Sequence, residues 1–340
     1  MSLRSAIQTV VRGAALDESE AADAAARLMD GGAPPSQIGA LLGALRVRGE
    51  TAEEITGFAR AIRARASRLP ITGDDLIDTC GTGGDGLGTF NVSTAAAVVA
   101  AAAGCRVAKH GNRGVSSGCG SADCLAALGV RPDLPPGRVA HSIAEAGLGF
   151  LFAPLFHESL RQAAAVRREI GFAGLFNIVG PLVNPAAPTR QLVGVFESRL
   201  VGVVAEVARR LGARRVLVVH GEDGADEISL CAATQACEMR DGRLREFTIR
   251  PEDFGLRRCR PSDVAGGDAA ASAGVVREVL GGRRGPPRDL VTLNAGAAIH
   301  VAGRAESIGE GVRLAAAAID SGRARGVLEV LRRISEEEGR

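Results

Sequence analysis

The order of apolar patterns along this chain predicts an α/β protein, with a small N-terminal helical domain and a larger domain whose mainly parallel central sheet is flanked by helices. Three observations carry that expectation. The first 67 or so residues hold only helix signals, and from "DLIDTC" onward short apolar runs alternate with helix-period segments. One Asp-Gly turn, in "MRDGRL", marks a hairpin late in the series.

In the helical opening, Asp17 to Glu20 and Thr51 to Glu54 read as capping boxes, and Ile38, Leu41, Leu42 and Leu45 share one helical face. The break at "SRLPITGD" divides the chain into a helical domain, 1–70, and an α/β domain, 71–340, with a helical insertion near 165–190 as a candidate to join the first. Strands are expected at "DLIDTC", "CRVAKH", "LGFLF", "QLVGVF" and "RRVLVVHG". Helices are expected near 94–103, 121–128, 157–170 and 198–211, and the hairpin at about 236–249. The C-terminal third returns to helix over Asp289 to Val301, Ser307 to Asp320 and a last segment ending in "SEEEGR".

Composition excludes several functions. With 41 basic against 39 acidic residues and no long single-sign run, neither a nucleic-acid stripe nor a membrane-binding patch is expected. Aromatics are 3% of the 340 residues, without Trp or Tyr, which further weakens a base-stacking reading. The apolar run from Thr94 to Cys105 is too short to span a bilayer. Seven cysteines without a C-x-x-C pair suggest reduced thiols, and an N-terminal stretch without the long apolar core of a signal peptide adds the expectation of a cytoplasmic protein. Lysine occurs once, at Lys109, and asparagine five times, at 91, 112, 177, 184 and 294. Where a residue type is nearly excluded, its survivors point to places where a substitute fails.

Residues 81–86, "GTGGDG", satisfy G-x-G-x-x-G. The dinucleotide reading of that pattern needs a helix opening directly from the loop and an acidic residue about 20 positions on. Here "LGTFNVS" intervenes, and no acidic residue lies between Asp85 and Asp123. The four glycines instead suit a loop whose backbone N–H groups approach a diphosphate. Asp85 beside phosphate implies a metal or a sugar hydroxyl between them. Ser93 and Thr94 stand at the next helix start, where their hydroxyls could cap it or reach Mg2+ or a phosphate. The segment "KHGNRGVSSGCGSAD", 109–123, reads as a second, solvated anion-wrapping loop that includes Lys109. Two such loops after adjacent strands define one site at the strand C-terminal edge. Asp226 and Glu227, after "RRVLVVHG", are candidate Mg2+ ligands.

Together "GTGGDGLGTFNVSTAAA", "KHGNRGVSS", "GSAD", "FLFAPLFHESLR", "LFNIVGPLVNP" and "DEIS" resemble the anthranilate phosphoribosyltransferase family over nearly the whole chain. The resemblance implies transfer of phosphoribose from 5-phosphoribosyl 1-diphosphate (PRPP) to the amino group of anthranilate, with Mg2+, in tryptophan biosynthesis. It implies a PRPP site lined by Gly81, Gly84, Asp85 and Thr89, with Asn91, Val92, Ser93 and Thr94 beside the phosphates. Lys109, His110, Gly111, Asn112 and Arg113 would close over the same substrate, followed by Gly114, Val115, Ser116, Ser117 and Ser121. Gly81, Asn112 and Arg167 would hold anthranilate, Ser93, Asp226 and Glu227 the metal, and Lys109 and Arg167 would be the catalytic pair. A homodimer through the helical unit is implied as well.

Where the family has an Arg-Thr pair this chain has Ala173 and Gly174, and Gly118 and Cys119 replace a more polar pair. Another aromatic amine as acceptor, or a non-catalytic phosphosugar-binding role, therefore stays open from sequence.

Overall fold

Seven strands form one sheet in the order β3-β2-β1-β4-β5-β6-β7. Their ranges are β1 Leu76–Asp78, β2 Arg106–Gly111, β3 Leu148–Phe152, β4 Arg190–Gly194, β5 Arg215–Gly221, β6 Thr234–Arg240 and β7 Arg243–Ile249. The structure, a computed structural model, describes residues 1–71, 73–114 and 118–337. Strands β1 to β5 pair in parallel, and β6 and β7 add an antiparallel edge. Asp241 and Gly242 both take positive φ, 51° and 78°, as a two-residue hairpin loop requires.

Both faces of the sheet are covered, which explains the unbroken apolar run "VLVV" in β5. Side chains alternate across a strand, so Leu192, Leu217 and Val219 enter one core while Val193, Val216 and Val218 enter the other. The first core also takes α5 (Val92–Ala102), α6 (Ser121–Ala127), α12 (Ala269–Leu280), α13 (Pro286–Val301), α14 (Ile308–Asp320) and α15 (Arg323–Glu337). In the second lie α1 (Leu3–Val11), α2 (Glu18–Met29), α3 (Pro35–Arg48) and α4 (Ala52–Arg65), with α9 (Arg161–Ile170), α10 (Leu175–Val179) and α11 (Leu200–Arg210). A third cluster seats α7 (Pro136–Ala146) and the single turn α8 (Ala153–Phe156) against Ala108 and Leu151.

Both expected capping boxes form. Asp17 accepts from Glu20 N at 2.8 Å while Glu20 accepts from Asp17 N, and Thr51 and Glu54 do the same for α4. Glu54 is fully buried and also takes Leu16 N at 3.0 Å and an ion pair from Arg48, so one carboxylate ties three segments of the bundle together. Helices α2 and α4 touch at Gly57, where any Cβ would strike the Glu18 carbonyl. The helices α9 and α10 pack on α3, and among the described residues no helix is long and apolar enough to cross a membrane.

Three expectations change. The helix expected over 157–170 forms as a short 3-10 turn at Glu158–Leu160 followed by α9, with the single turn α8 ahead of it. The helices α7 and α12 lie outside the expected set, although Pro136 in the first turn of one and the Asp268 cap of the other are start signals. The strand β2 runs on to Gly111, so Lys109, His110 and Gly111 belong to the sheet and not to a solvated loop.

Candidate active site

The strand order reverses between β1 and β4, and a cleft of about 540 Å³ opens there, beyond the strand C-terminal ends. The glycine-rich loop leaves β1 and is held from three sides. Thr82 N donates to Gly194 O at 2.9 Å, Gly83 N to Asp226 Oδ2 at 2.6 Å, and Phe90 N to Val264 O at 3.2 Å. Gly83, Gly84, Gly86 and Gly88 all have φ between 62° and 85°, which a Cβ would strain. Gly84 lies against Ala173, since a Cβ on it would come within 2.8 Å of the Ala173 methyl. The Ala173 departure therefore touches the glycine loop itself.

Asn91 precedes α5 without capping it. Its Oδ1 accepts from Ser272 Oγ at 2.7 Å and from Cys119 Sγ at 3.0 Å, which ties the loop to α12 and to the second loop. Neither serine nor threonine hydroxyl caps α5 as the sequence suggested. Ser93 Oγ accepts from Lys109 Nζ at 3.2 Å, and Thr94 faces a separate small cavity with Leu125 and Val130, away from the cleft, its Oγ1 unpartnered among the described residues. Thr94 is thus removed from the candidate contacts.

Lys109 is 2% exposed, and its ammonium also donates to Thr79 O at 3.3 Å. Beneath it Asp78 is fully buried; it accepts from His110 N at 3.2 Å and from Asn184 Nδ2 at 2.8 Å. Burial raises the Asp78 carboxyl to about 6, and the Lys109 charge works against that rise. The His110 ring meets Gly180 O through Nδ1 and stands edge-on to His157, 5.3 Å between centroids. Burial pushes His110 down to about 3 and His157 to about 4, so both imidazoles are neutral at physiological pH.

The second loop is shaped by Asp123, which accepts from Gly114 N and Gly120 N at 2.9 and 3.0 Å and pairs with Arg113. Gly111 lets Ser121 Oγ come where a Cβ would stand. Gly81, Asp85, Thr89, Val92, His110 and Asn112 line the cleft, as do Gly114 and Ser121. Val115, Ser116 and Ser117 lie outside the described residues. Arg167, on α9, enters from the helical layer, and burial lowers the pKa of its guanidinium.

On the far side Ser93 N donates to Glu227 Oε1 at 3.1 Å. Desolvation first, and then the charge of Asp85, raises Asp226 to about 7; desolvation and Asp226 raise Glu227 well above the usual range. Three crowded carboxylates with one ammonium make a site that favours an added cation. Among the described residues no three His, Cys, Asp or Glu side chains converge as a ready metal cage. Two carboxylates and a hydroxyl, with positions left for phosphate oxygens and water, are the donor set a Mg2+ ion takes beside a substrate.

Sequence reasoning missed His157, Asp78 and the buried amides. Asn177 Nδ2 holds Thr82 O at 3.1 Å, and Asn294 grips both backbone groups of Ile228, the residue after Glu227. All five asparagines hold or line this site, so the scarcity of asparagine was a signal that could have found every one.

Residues 4–66 match the "Glycosyl transferase family, helical bundle domain" and 73–325 the "Glycosyl transferase family, a/b domain". An anthranilate phosphoribosyltransferase of Moorella thermoacetica is 50% identical over 329 residues, 97% of each chain. The crystal structure of the Thermus thermophilus anthranilate phosphoribosyltransferase superposes with a TM-score of 0.91 at 44% identity, over 97% of this chain and 99% of that one. The Saccharomyces cerevisiae enzyme in complex with PRPP and Mg gives 0.89 at 26% identity, covering 98% of both. With a glycine-loop cleft at the sheet's switch point and likeness along its full length, this chain belongs to the anthranilate phosphoribosyltransferase family.

Proposed function

We propose that the chain transfers the 5-phosphoribosyl group of PRPP to the amino group of anthranilate, giving N-(5-phosphoribosyl)anthranilate and diphosphate, as a cytoplasmic step of tryptophan biosynthesis. The observation that carries this reading is the meeting, in one cleft, of the glycine loop, Ser93, Lys109, Asp226 and Glu227 with Asn112 and Arg167 from the opposite elements.

In the reaction the bond from ribose C1 to the diphosphate oxygen breaks, a bond from C1 to the amine nitrogen forms, and the amine loses a proton to solvent. Positive charge grows on the sugar and negative charge on the leaving group. Gly81, Gly84, Asp85 and Thr89 bind the ribosyl diphosphate, and Asn91, Val92 and Ser93 with Gly111, Asn112, Arg113, Gly114 and Ser121 hold the phosphates. Lys109 supplies a cation to the developing diphosphate charge. Ser93, Asp226 and Glu227 hold Mg2+, which when bound neutralises phosphate charge. Arg167 grips the anthranilate carboxylate and Asn112 steadies it, so that the amine stands near C1 on the face opposite the diphosphate. An aryl amine is already uncharged at neutral pH and needs no general base. The neutral rings of His110 and His157 suit a site where positive charge grows on the sugar, because an imidazolium there would oppose it.

Titration calorimetry with PRPP tests the site. Binding is expected in Mg2+ and not in excess chelator; equal affinity in both would end the metal reading. Loss of anthranilate fluorescence with PRPP reports the acceptor.

The same proposal divides the chain near residue 70, with α9 and α10 belonging to the helical unit, and pairs two copies through it. Val11 and Val47 are 68% and 91% exposed on α1 and α3, which pack together. Light scattering at micromolar concentration is expected to give twice the 34.9 kDa chain mass. A monomeric mass contradicts the pairing.

A further inference from the structure

Lys109 lines the cleft, but its ammonium is turned onto the cleft wall. Its ammonium is folded back onto Thr79 O and Ser93 Oγ, 3.3 and 3.2 Å away, and Ser93 in turn donates its N–H to Glu227. The ammonium therefore sits on the one hydroxyl that shares a backbone link with the acidic pair. Asp226 and Glu227 repel each other, and the Lys109 charge, which also faces Asp78, works together with the Ser93 N–H against the rise of Glu227. The other cations along the cleft are engaged or come from another element: Arg113 pairs with Asp123, Arg161 with Glu158, and Arg167 and Arg168 belong to α9.

We infer that Lys109 is the internal counter-ion of the metal-free site, and that a divalent cation arriving beside Ser93, Asp226 and Glu227 displaces its ammonium from Ser93 Oγ toward the open cleft. This rests on the reading of those three residues as metal ligands. Two cations cannot share one hydroxyl oxygen without strong repulsion, since an ammonium at hydrogen-bond range stands only a few ångströms from a metal bound to the same atom. The four-carbon stem can swing while its base stays fixed in β2. Metal entry thus does two things at once: it replaces the charge that balanced the carboxylates, and it releases a cation for the diphosphate. The order of events follows, with the metal first and the lysine second.

The composition supplies the probe. Lys109 is the chain's single lysine, so protein labelled with 13C at lysine Cε gives one side-chain signal to follow by NMR. Adding Mg2+ without PRPP is expected to shift that signal and narrow it as the side chain leaves its buried contacts. In parallel, Mn2+ binding to the substrate-free protein, read by electron paramagnetic resonance, is expected to tighten about tenfold or more in Lys109→Met and in Lys109→Gln, because the competing charge is gone. Melting curves identify which variants are folded, and either one suffices. A lysine signal unmoved at metal saturation, or unchanged Mn2+ affinity in a folded variant, overturns the inference while leaving the metal site intact. No Mn2+ bound by the wild type even with PRPP present removes the metal reading itself, and the inference with it.

Discussion

Asp226→Asn combined with Glu227→Gln is expected to abolish PRPP turnover and, in the presence of a chelator, to make the protein melt at a higher temperature. Both amides keep the oxygen that accepts from Gly83 N or Ser93 N, so the loop contacts survive. What disappears is the charge. The folded-state pKa of each acid lies above its unfolded value, reaching about 7 for Asp226. A carboxyl raised in this way opposes folding as it ionises: the cost is absent below about pH 4, grows between pH 4 and 7, and is fully present above that. Removing it should stabilise the metal-free protein at pH 8 by about 1–2 kcal/mol, a figure reduced for the water that reaches these partly exposed groups. The corresponding rise in Tm is about 2–4 °C. Turnover should fall by at least about 10³-fold in kcat/KM, or about 4 kcal/mol of transition-state stabilisation. Retained Mg2+-dependent activity would show that the pair is not the metal site. A lower Tm at pH 8 would show that the acids are structural.

Lys109→Arg is expected to lower kcat/KM for PRPP about tenfold to a hundredfold, equivalent to about 1.4–2.7 kcal/mol. A planar guanidinium cannot take the place of a compact ammonium between Thr79 O and Ser93 Oγ. Taken as part of a solvated loop, the residue could change without touching stability. Buried in β2 above Asp78, it cannot: overpacking there should cost about 1–3 kcal/mol and lower the Tm by several degrees. Steady-state kinetics with anthranilate and a melting curve read both. Wild-type rates would make the survival of this lysine an accident of composition, and an unchanged Tm would mean that the cleft floor yields.

Much of this arrangement is legible in the chain. Each strand of the parallel series announces itself as a short apolar run, the Asp-Gly turn sets the hairpin, and both capping boxes form where Asp17 and Thr51 stand. The loops of the site are legible too, because glycine clusters and the lone lysine are unusual against the rest. The orientation of Ser93 and Thr94 was not. Helix α5 is buried on nearly every side, so its alanines give no amphipathic phase from which to tell which hydroxyl faces the cleft. The end of β2 is ambiguous in the sequence for a related reason: the lysine and histidine fit both the strand "CRVAKH" and the polar loop after it until a buried aspartate from the neighbouring strand accounts for them. That aspartate lies 32 positions away from His110, and no local pattern joins the two.

The second core has a consequence for descent. Val193, Val195, Val216 and Val218 of the sheet pack into the same cluster as Leu28, Ile38, Leu41 and Ile55 of the helical bundle. One face of the catalytic sheet is therefore the floor on which the bundle folded. A bundle inherited from another lineage would have to arrive with matching valines in β4 and β5, or leave a gap or a clash in a close-packed interior. The two halves match separate family models, over 4–66 and 73–325, yet they can drift only in step, and recombination between those ranges would yield folded hybrids only between close kin.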